Sequence, residues 1–278
     1  MSGRRAPLYR RAPLYGVPAA ILIAALLAPI VWMVAASFTP EARIFDSFLA
    51  SVSFDAAHYR ALFETRDFLV PIRNSLIVAG TTTGIAIPIA VLCAFALTHL
   101  RMPGGRVLLA TILAVSMFPQ ISVVPPLYLA LRALGLLNTY PGLVLPYLTF
   151  STPLAVWMLT AFFRQLPREI EDAARLDGAS RLQALWDVLL PIAAPGIAST
   201  AILVFLYSWN EFLFAFSFTL GPERYTVPVA ITLFRGRYQV PWGEIMAAAV
   251  VATIPVALIV LAFQRRIVSG LTAGAIRG

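Results

Sequence analysis

Asn74-Ser-Leu-Ile-Val-Ala-Gly-Thr-Thr-Thr-Gly-Ile-Ala-Ile-Pro-Ile-Ala-Val-Leu-Cys-Ala-Phe-Ala-Leu-Thr98 runs for 25 residues without an acid or a base. A helix needs roughly 20 such residues to cross about 30 Å of hydrocarbon. Five further stretches have the same character, at about Tyr15–Phe38, Val107–Leu131, Pro141–Phe163, Ile197–Leu220 and Ile245–Phe263. In lipid the backbone must satisfy its own hydrogen bonds, so these runs predict helices. The expected fold class is an all-α membrane protein with six transmembrane helices. Segments 1–14 and 264–278 flank a six-helix domain at 15–263.

Composition agrees with this reading. Of 278 residues 60% are hydrophobic and 12% charged, with a mean hydropathy of +0.83. A soluble domain is about 45–50% apolar and about a quarter charged. The net charge of +8 does not mark a nucleic-acid binder, because the basic residues flank apolar runs and form no basic face. All 21 basic residues are Arg, which reads as coding bias. The chain opens with a tandem RRAPLY, at Arg4–Tyr9 and Arg10–Tyr15. Val34-Ala35-Ala36-Ser37 faintly resembles a signal cleavage site. The uncharged run Ala12–Pro40 is much longer than a signal h-region, so an uncleaved first helix is expected.

Arginine placement sets the orientation. With the N-terminus in the cytoplasm, thirteen arginines and five acids (Glu169, Glu171, Asp172, Asp177, Asp187) fall inside, which accounts for the whole excess of +8. The eight outside arginines are balanced by the remaining eight acids. Positive charge therefore lies inside, and six spans return the C-terminus to the cytoplasm. Pro88, Pro119, Pro125, Pro126, Pro146, Pro153 and Pro255 fall within spans, and the third is expected to kink or split near Pro119. Outside, Thr39–Arg73 has room for a surface helix around Ala56–Phe63. Gly221–Gly243 sets Arg224, Arg235 and Arg237 among aromatic residues.

The loop at 164–195, between the fourth and fifth spans, differs from the others. Pro167-Arg-Glu-Ile-Glu-Asp-Ala-Ala-Arg-Leu-Asp-Gly178 has proline and acids at its start and glycine at its end, which are helix start and stop signals. Ser180-x-x-Gln183 then reads as a capping box opening a second helix. Leu182, Leu185, Trp186, Leu189 and Leu190 form the apolar stripe of that helix, and Pro191 and Pro195 are expected to end it. The result is a cytoplasmic helix–glycine–helix elbow whose two alanines would let it sit close in a cleft of another protein. Packing beneath its own bundle remains an equal alternative on these features.

Asp172-Ala-Ala-x-x-Asp177-Gly178-Ala179, followed by Leu190-Pro191 and Pro195, resembles the EAA loop of bacterial ATP-binding-cassette importer permeases. Ser116-Met-Phe-Pro-Gln120, Tyr207-Ser-Trp-Asn-Glu211, Gln264-Arg-Arg-x-Val268 and Gly270-Leu-Thr-Ala-Gly274 are similar to the maltose and trehalose-type sugar permeases within that superfamily. The resemblance covers nearly the whole chain. It implies a coupling helix docking on an ATPase subunit through Glu169, Glu171, Asp172, Ala173, Ala174, Asp177, Gly178 and Ala179. The family has Glu where Asp172 stands, which leaves open which acid meets the partner. A second contact is implied for the tail, at Gly270, Leu271, Thr272, Ala273 and Gly274. The implied partners are a second permease subunit, a cytoplasmic ATPase dimer that holds the ATP and Mg, and an extracytoplasmic solute-binding protein. The implied setting is the bacterial cytoplasmic (inner) membrane, and the implied cargo is a di- or oligosaccharide moved by alternating access.

Glu211 is read as lying inside the fifth span, beside Asn210. An acid at mid-membrane costs about 2.5–3.5 kcal/mol on insertion scales, which the apolar residues of Ile197–Leu220 offset. Trp209, Asn210 and Glu211 are accordingly expected on the translocation pathway, with an interhelical hydrogen bond as the alternative for Glu211 and aromatic packing for Trp209. His58 and His99 lack acid or Cys partners at ligand spacing and Cys93 is single, so no metal site is expected. The sequence has no P-loop pattern and no clustered catalytic set, so no cofactor and no enzymatic activity are expected of this chain. A non-sugar permease of the same superfamily is the main alternative. A stand-alone secondary transporter would be expected to show paired intramembrane acids and inverted repeats.

Overall fold

The computed structural model describes residues 12–45, 54–100, 102–234 and 240–273, with side chains described at 16–45, 54–100, 102–234 and 240–264. Among the described residues there are helices and turns and no strand. The helices are α1 (Ala12–Ser37), α2 (Ala57–Glu64), α3 (Leu69–His99), α4 (Gly105–Ser116), α5 (Gln120–Ala133), α6 (Tyr140–Phe163) and α7 (Arg168–Leu176). They continue with α8 (Arg181–Trp209), α9 (Leu213–Phe218), α10 (Val227–Thr232) and α11 (Trp242–Ala273). Five of them, α1, α3, α6, α8 and α11, are long and apolar enough to cross a membrane. Helices α4 and α5 meet at 86° and make the sixth span when taken as one broken crossing. The break falls where expected: Pro119 precedes α5 with ψ at 119°, and proline leaves no N–H to carry the helix through.

The chain divides into two compact units, Met1–Asp67 with Phe234–Val251, and Phe68–Leu233 with Ala252–Gly278. In the first unit the short helix α2 lies close to the expected Ala56–Phe63. The Tyr59 hydroxyl is 2.8 Å from the Ser37 hydroxyl, and a His58 ring nitrogen is 2.9 Å from the Thr39 carbonyl. Glu41 accepts from the backbone N–H groups of Trp242 (2.7 Å) and Gly243 (3.0 Å), satisfying donors that the first turn of α11 leaves free. The Arg66 guanidinium donates to Glu244 at 2.8 Å.

The second unit is a bundle in which α3 packs on α6 and α8, and α6 packs on α8 and α4. Small residues set the spacing on α3, where Ala86, Ala90 and Ala94 are fully buried. Small side chains let helix backbones approach, and that is how helices pack where lipid competes for apolar surface. Gly196 does the same on α8, since a Cβ there would come within 2.4 Å of the Phe162 ring. Gly196→Ala should therefore cost about 1–3 kcal/mol through overpacking, read as a lower thermal midpoint of the detergent-solubilised protein. A second cluster joins Val78, Leu143, Tyr147, Phe150, Phe214 and Phe218. Asn138, at φ +59, pins the chain after α9. Its N–H donates to the Phe218 carbonyl at 2.8 Å, its amide oxygen accepts from Leu220 N–H at 3.0 Å, and its amide donates to Glu223 at 2.5 Å. That last donor holds the Glu223 carboxyl below its ordinary range.

The structure corrects the fifth span. Its helix runs from Arg181 to Trp209 and not over Ile197–Leu220, so Pro191 and Pro195 do not end the elbow's second arm. Residues Ala184–Leu189 form a π-helical turn directly before Pro191. Such a turn shifts the backbone hydrogen bonds by one residue, which takes up the proline's missing donor and lets the helix continue. The loop between the fourth and fifth spans is thus shorter than 164–195, and the elbow's second arm is the start of the fifth helix. The sixth span runs on without a break as well, so the tail that was set off at 264 is helical to Ala273.

Candidate functional site

Two features carry sequence-predicted site residues. The first is the elbow. Pro167 stands at the N-cap of α7 in extended conformation, and Glu169 and Glu171 sit in the first turn, where the helix dipole favours acids. Helix α7 closes through two hydrogen bonds, from Gly178 N–H to the Arg175 carbonyl (3.1 Å) and from Ala179 N–H to the Ala174 carbonyl (3.0 Å). This is a Schellman closure, and it holds Gly178 at φ +92, which side-chain-bearing residues rarely adopt. Ser180 and Gln183 then complete the expected capping box, with Gln183 N–H on the Ser180 hydroxyl at 3.3 Å and Ser180 N–H on the Gln183 amide at 2.8 Å. Three residues, Gly178 to Ser180, therefore turn the chain between two capped helices.

Burial sorts the elbow residues. Leu185 and Leu189 are fully buried in the core with Leu159 and Phe163, while Leu182 and Trp186 of the predicted stripe are 59% and 60% exposed. Leu176, at the bend, is 89% exposed. Glu169, Asp172, Ala173, Asp177 and Gly178 are exposed, and Ala174 and Ala179 half-buried. Glu171 is turned inward and 6% exposed. It follows Arg168 by three residues and precedes Arg175 by four, so all three share one face, which lines a polar cavity of about 360 Å³ with His99 and Asp172. Arg168 donates to the Thr98 carbonyl at 2.9 Å, tying α7 to the end of α3. Gly270, Leu271, Thr272 and Ala273 continue the α11 backbone, and Gly274 lies outside the described residues.

The second feature is an open cavity of about 670 Å³ among α5, α6, α8 and the segment after α8. Glu211 does not lie inside a helix as the hydropathy suggested. The helix stops at Trp209, and Asn210, Glu211 and Phe212 join it to α9. The Glu211 carboxylate accepts from Phe214 N–H at 2.8 Å and Ala215 N–H at 3.1 Å, supplying the acceptors that a broken helix lacks. It is 7% exposed. Asn210 is exposed at the cavity and donates to the Leu206 carbonyl at 2.8 Å. Trp209 is 4% exposed and stacked on Phe205, with ring centroids 5.8 Å apart. The packing alternative therefore describes its surroundings.

Gln120 closes the motif Ser116–Gln120 and Tyr207 opens the motif Tyr207–Glu211, and neither has a role that the sequence alone assigns. The Gln120 amide donates to the Tyr207 hydroxyl, and both line this cavity. The pair joins residues 87 positions apart, a juxtaposition no periodicity in the sequence reveals. Among the described residues there is no group of three His, Cys, Asp or Glu side chains placed to hold a metal.

Residues 86–273 match the family described as binding-protein-dependent transport system inner membrane component. The chain is 43% identical over 273 residues to the trehalose transport system permease protein SugB of Mycobacterium tuberculosis, covering 97% of this chain and 99% of that one. It is 41% identical over 263 residues to the trehalose/maltose transport system permease protein MalG of Thermococcus litoralis, covering 93% and 95%. Among solved structures it resembles a chain of a bacterial ABC transporter involved in the import of the acidic polysaccharide alginate. That likeness has a TM-score of 0.75 at 23% identity, over 94% of this chain and 99% of that one.

Proposed function

Because this chain belongs to the family of inner-membrane components of binding-protein-dependent transport systems, we propose that it is one of two permease subunits of an ATP-driven sugar importer. The permease names of its trehalose and maltose relatives support an α-linked disaccharide as cargo. The observation that carries the coupling reading is the elbow's tip. Leu176 and Leu182, on the two arms of the bend that carries Asp172 and Asp177, stand 89% and 59% exposed. Exposed apolar side chains rimmed by charge mark a docking surface, and the exposed Ala173 allows close approach. The occupant is a cytoplasmic ATPase dimer that holds ATP and Mg. Its closure pulls α7 and, through α8, turns the bundle between inward- and outward-facing states.

In this reading the elbow and both termini lie in the cytoplasm, and a solute-binding protein delivers sugar from the other side. Exposed Asp172 presents its carboxylate to the ATPase, whereas buried Glu171 faces the cavity it shares with His99, and Arg168 ties the elbow to its own bundle. Helix α11 carries Gly270 to Ala273, and the tail from Gly270 to Gly274 is the second proposed contact with that partner. Asn210 and Glu211 belong to the cavity wall on the pathway.

The test is co-purification. Leu176→Asp should release the ATPase from the transporter isolated from host membranes while the permease stays in the membrane. Retention of the ATPase at wild-type stoichiometry would remove the elbow from its role. The purified chain alone should hydrolyse no ATP.

A further inference from the structure

Two helix breaks in the bundle open on one cavity. Met117 to Pro119 interrupt the path from α4 to α5, which starts at Gln120, and Asn210 to Phe212 interrupt the path from α8 to α9. Gln120, Asn210, Glu211 and Phe212 all line the same space of about 670 Å³. Irregular backbone at membrane depth is tolerated where it lines a water-filled path or is buried in protein. Both breaks set polar side chains at the wall of an otherwise apolar site.

The chemistry of that wall is selective. Glu211 is the one charged side chain among the ten residues lining the cavity, and both its oxygens are engaged by the N–H groups of Phe214 and Ala215. Its carboxylate is thus committed to the protein's own backbone. Among the described lining residues there is no Arg or Lys to meet a carboxylate, sulfonate or phosphate. The polar groups facing the space are neutral: the Gln120 amide, the Tyr207 hydroxyl and the Asn210 amide. The remaining wall is apolar, with Leu154 and Met158 from α6 and Leu203 and Leu206 from α8. A pyranose has this same division, hydroxyl groups at its rim and C–H groups on its faces. Tyr207 and Phe212 provide aromatic surface for such a face.

We infer that Gln120, Tyr207 and Asn210 form this chain's solute-binding wall, and that it takes a neutral, polyhydroxylated solute and disfavours anionic sugars. This rests on the importer reading and deepens it. The bond between Gln120 and Tyr207 orients both groups before the solute arrives. The amide's second hydrogen and carbonyl oxygen, together with the phenolic hydrogen, remain for sugar hydroxyls. The inference assigns Gln120 and Tyr207 to solute, and leaves Glu211 as the group that holds the backbone break in shape.

The test uses the intact transporter, with its binding protein, in proteoliposomes, and reads sugar delivered per ATP hydrolysed. The probes are radiolabelled trehalose and maltose, with glucuronic acid disaccharides as anionic competitors. Tyr207→Phe and Gln120→Leu should each lower sugar moved per ATP about five- to tenfold, the scale of one neutral hydrogen bond. The double variant should be little worse than either single one, because the two side chains act as a pair. Gln120→Arg should raise competition by the anionic sugars, which compete poorly with the unaltered chain. Variants are compared only at equal co-purification of all subunits, and Gln120→Asn supplies a second probe if Gln120→Leu fails to assemble. Wild-type sugar per ATP in both Tyr207→Phe and the assembled Gln120 variant overturns the inference while leaving the importer reading intact. If no neutral sugar is moved by the unaltered transporter, the importer reading for sugar fails first and this inference goes with it.

Discussion

Gly178→Val should abolish sugar uptake, by at least tenfold, while the protein reaches the membrane in normal amount. The reason is conformational. Gly178 sits at φ +92 with nothing within 4 Å of where a Cβ would lie, so the penalty comes from the backbone and not from a clash. A β-branched side chain in left-handed backbone costs about 1–3 kcal/mol. That is comparable to the two closing hydrogen bonds of the Schellman motif, at about 0.5–1.5 kcal/mol each. The turn would reopen, and the angle between α7 and the start of α8 would change. The spans, built on contacts elsewhere, would not. Gly178→Ala should give a smaller loss in the same direction, and Gly178→Asn smaller still, since Asn tolerates positive φ. The measurement is uptake normalised to membrane content, with ATP hydrolysis followed in parallel. Equal uptake for the glycine and valine proteins would remove the rigid elbow from the mechanism.

Glu211→Ala should destabilise the bundle by about 2–4 kcal/mol and with it reduce transport, the scale of leaving two buried N–H groups without acceptors. The carboxylate holds Phe214 and Ala215 N–H at 2.8 and 3.1 Å. Phe214 and Ala215 are themselves fully buried in the cluster with Tyr147 and Phe150. Alanine removes both acceptors at once, and Phe214 and Ala215 are buried away from water that could replace them. Glu211→Gln keeps one oxygen but turns an amide N–H₂ toward a donor. It should therefore assemble with an intermediate thermal midpoint and lowered uptake. A melting curve of Glu211→Ala in detergent that coincides with wild type would show that the break at 210–212 does not depend on this carboxylate.

Much of the fold was legible because membrane insertion is governed by local quantities. Length and hydropathy over about 20 residues suffice to mark a span, and the second, third, fourth and sixth were placed to within a few residues of α3, α4 with α5, α6 and the apolar part of α11. Pro119 was legible as a break because proline's missing donor is a property of one residue. The elbow's ends were legible for the same reason. Pro167, Gly178, Ser180 and Gln183 each act within four residues of themselves.

The fifth span shows where that reasoning stops. Its apolar run extends through Leu220, but hydropathy cannot distinguish a helix from a buried turn that satisfies its own backbone. Pro191 and Pro195 looked like stops because the π-helical turn upstream of them leaves no mark in composition. The same limit applies to Glu171 and Asp172, adjacent in sequence and alike in chemistry. One is 6% exposed and the other open, and the difference depends on which face of α7 meets the end of α3.

By itself, then, the sequence determined that this chain is a helical membrane protein with a capped, glycine-hinged elbow, because burial in lipid and helix capping are decided within a turn or two of chain. Only the tertiary structure decided which acid faces outward, where the fifth helix breaks, and that Gln120 meets Tyr207 across 87 positions. Those depend on the packing of α5, α6 and α8 around a shared space, and packing is set by contacts between residues far apart in the chain.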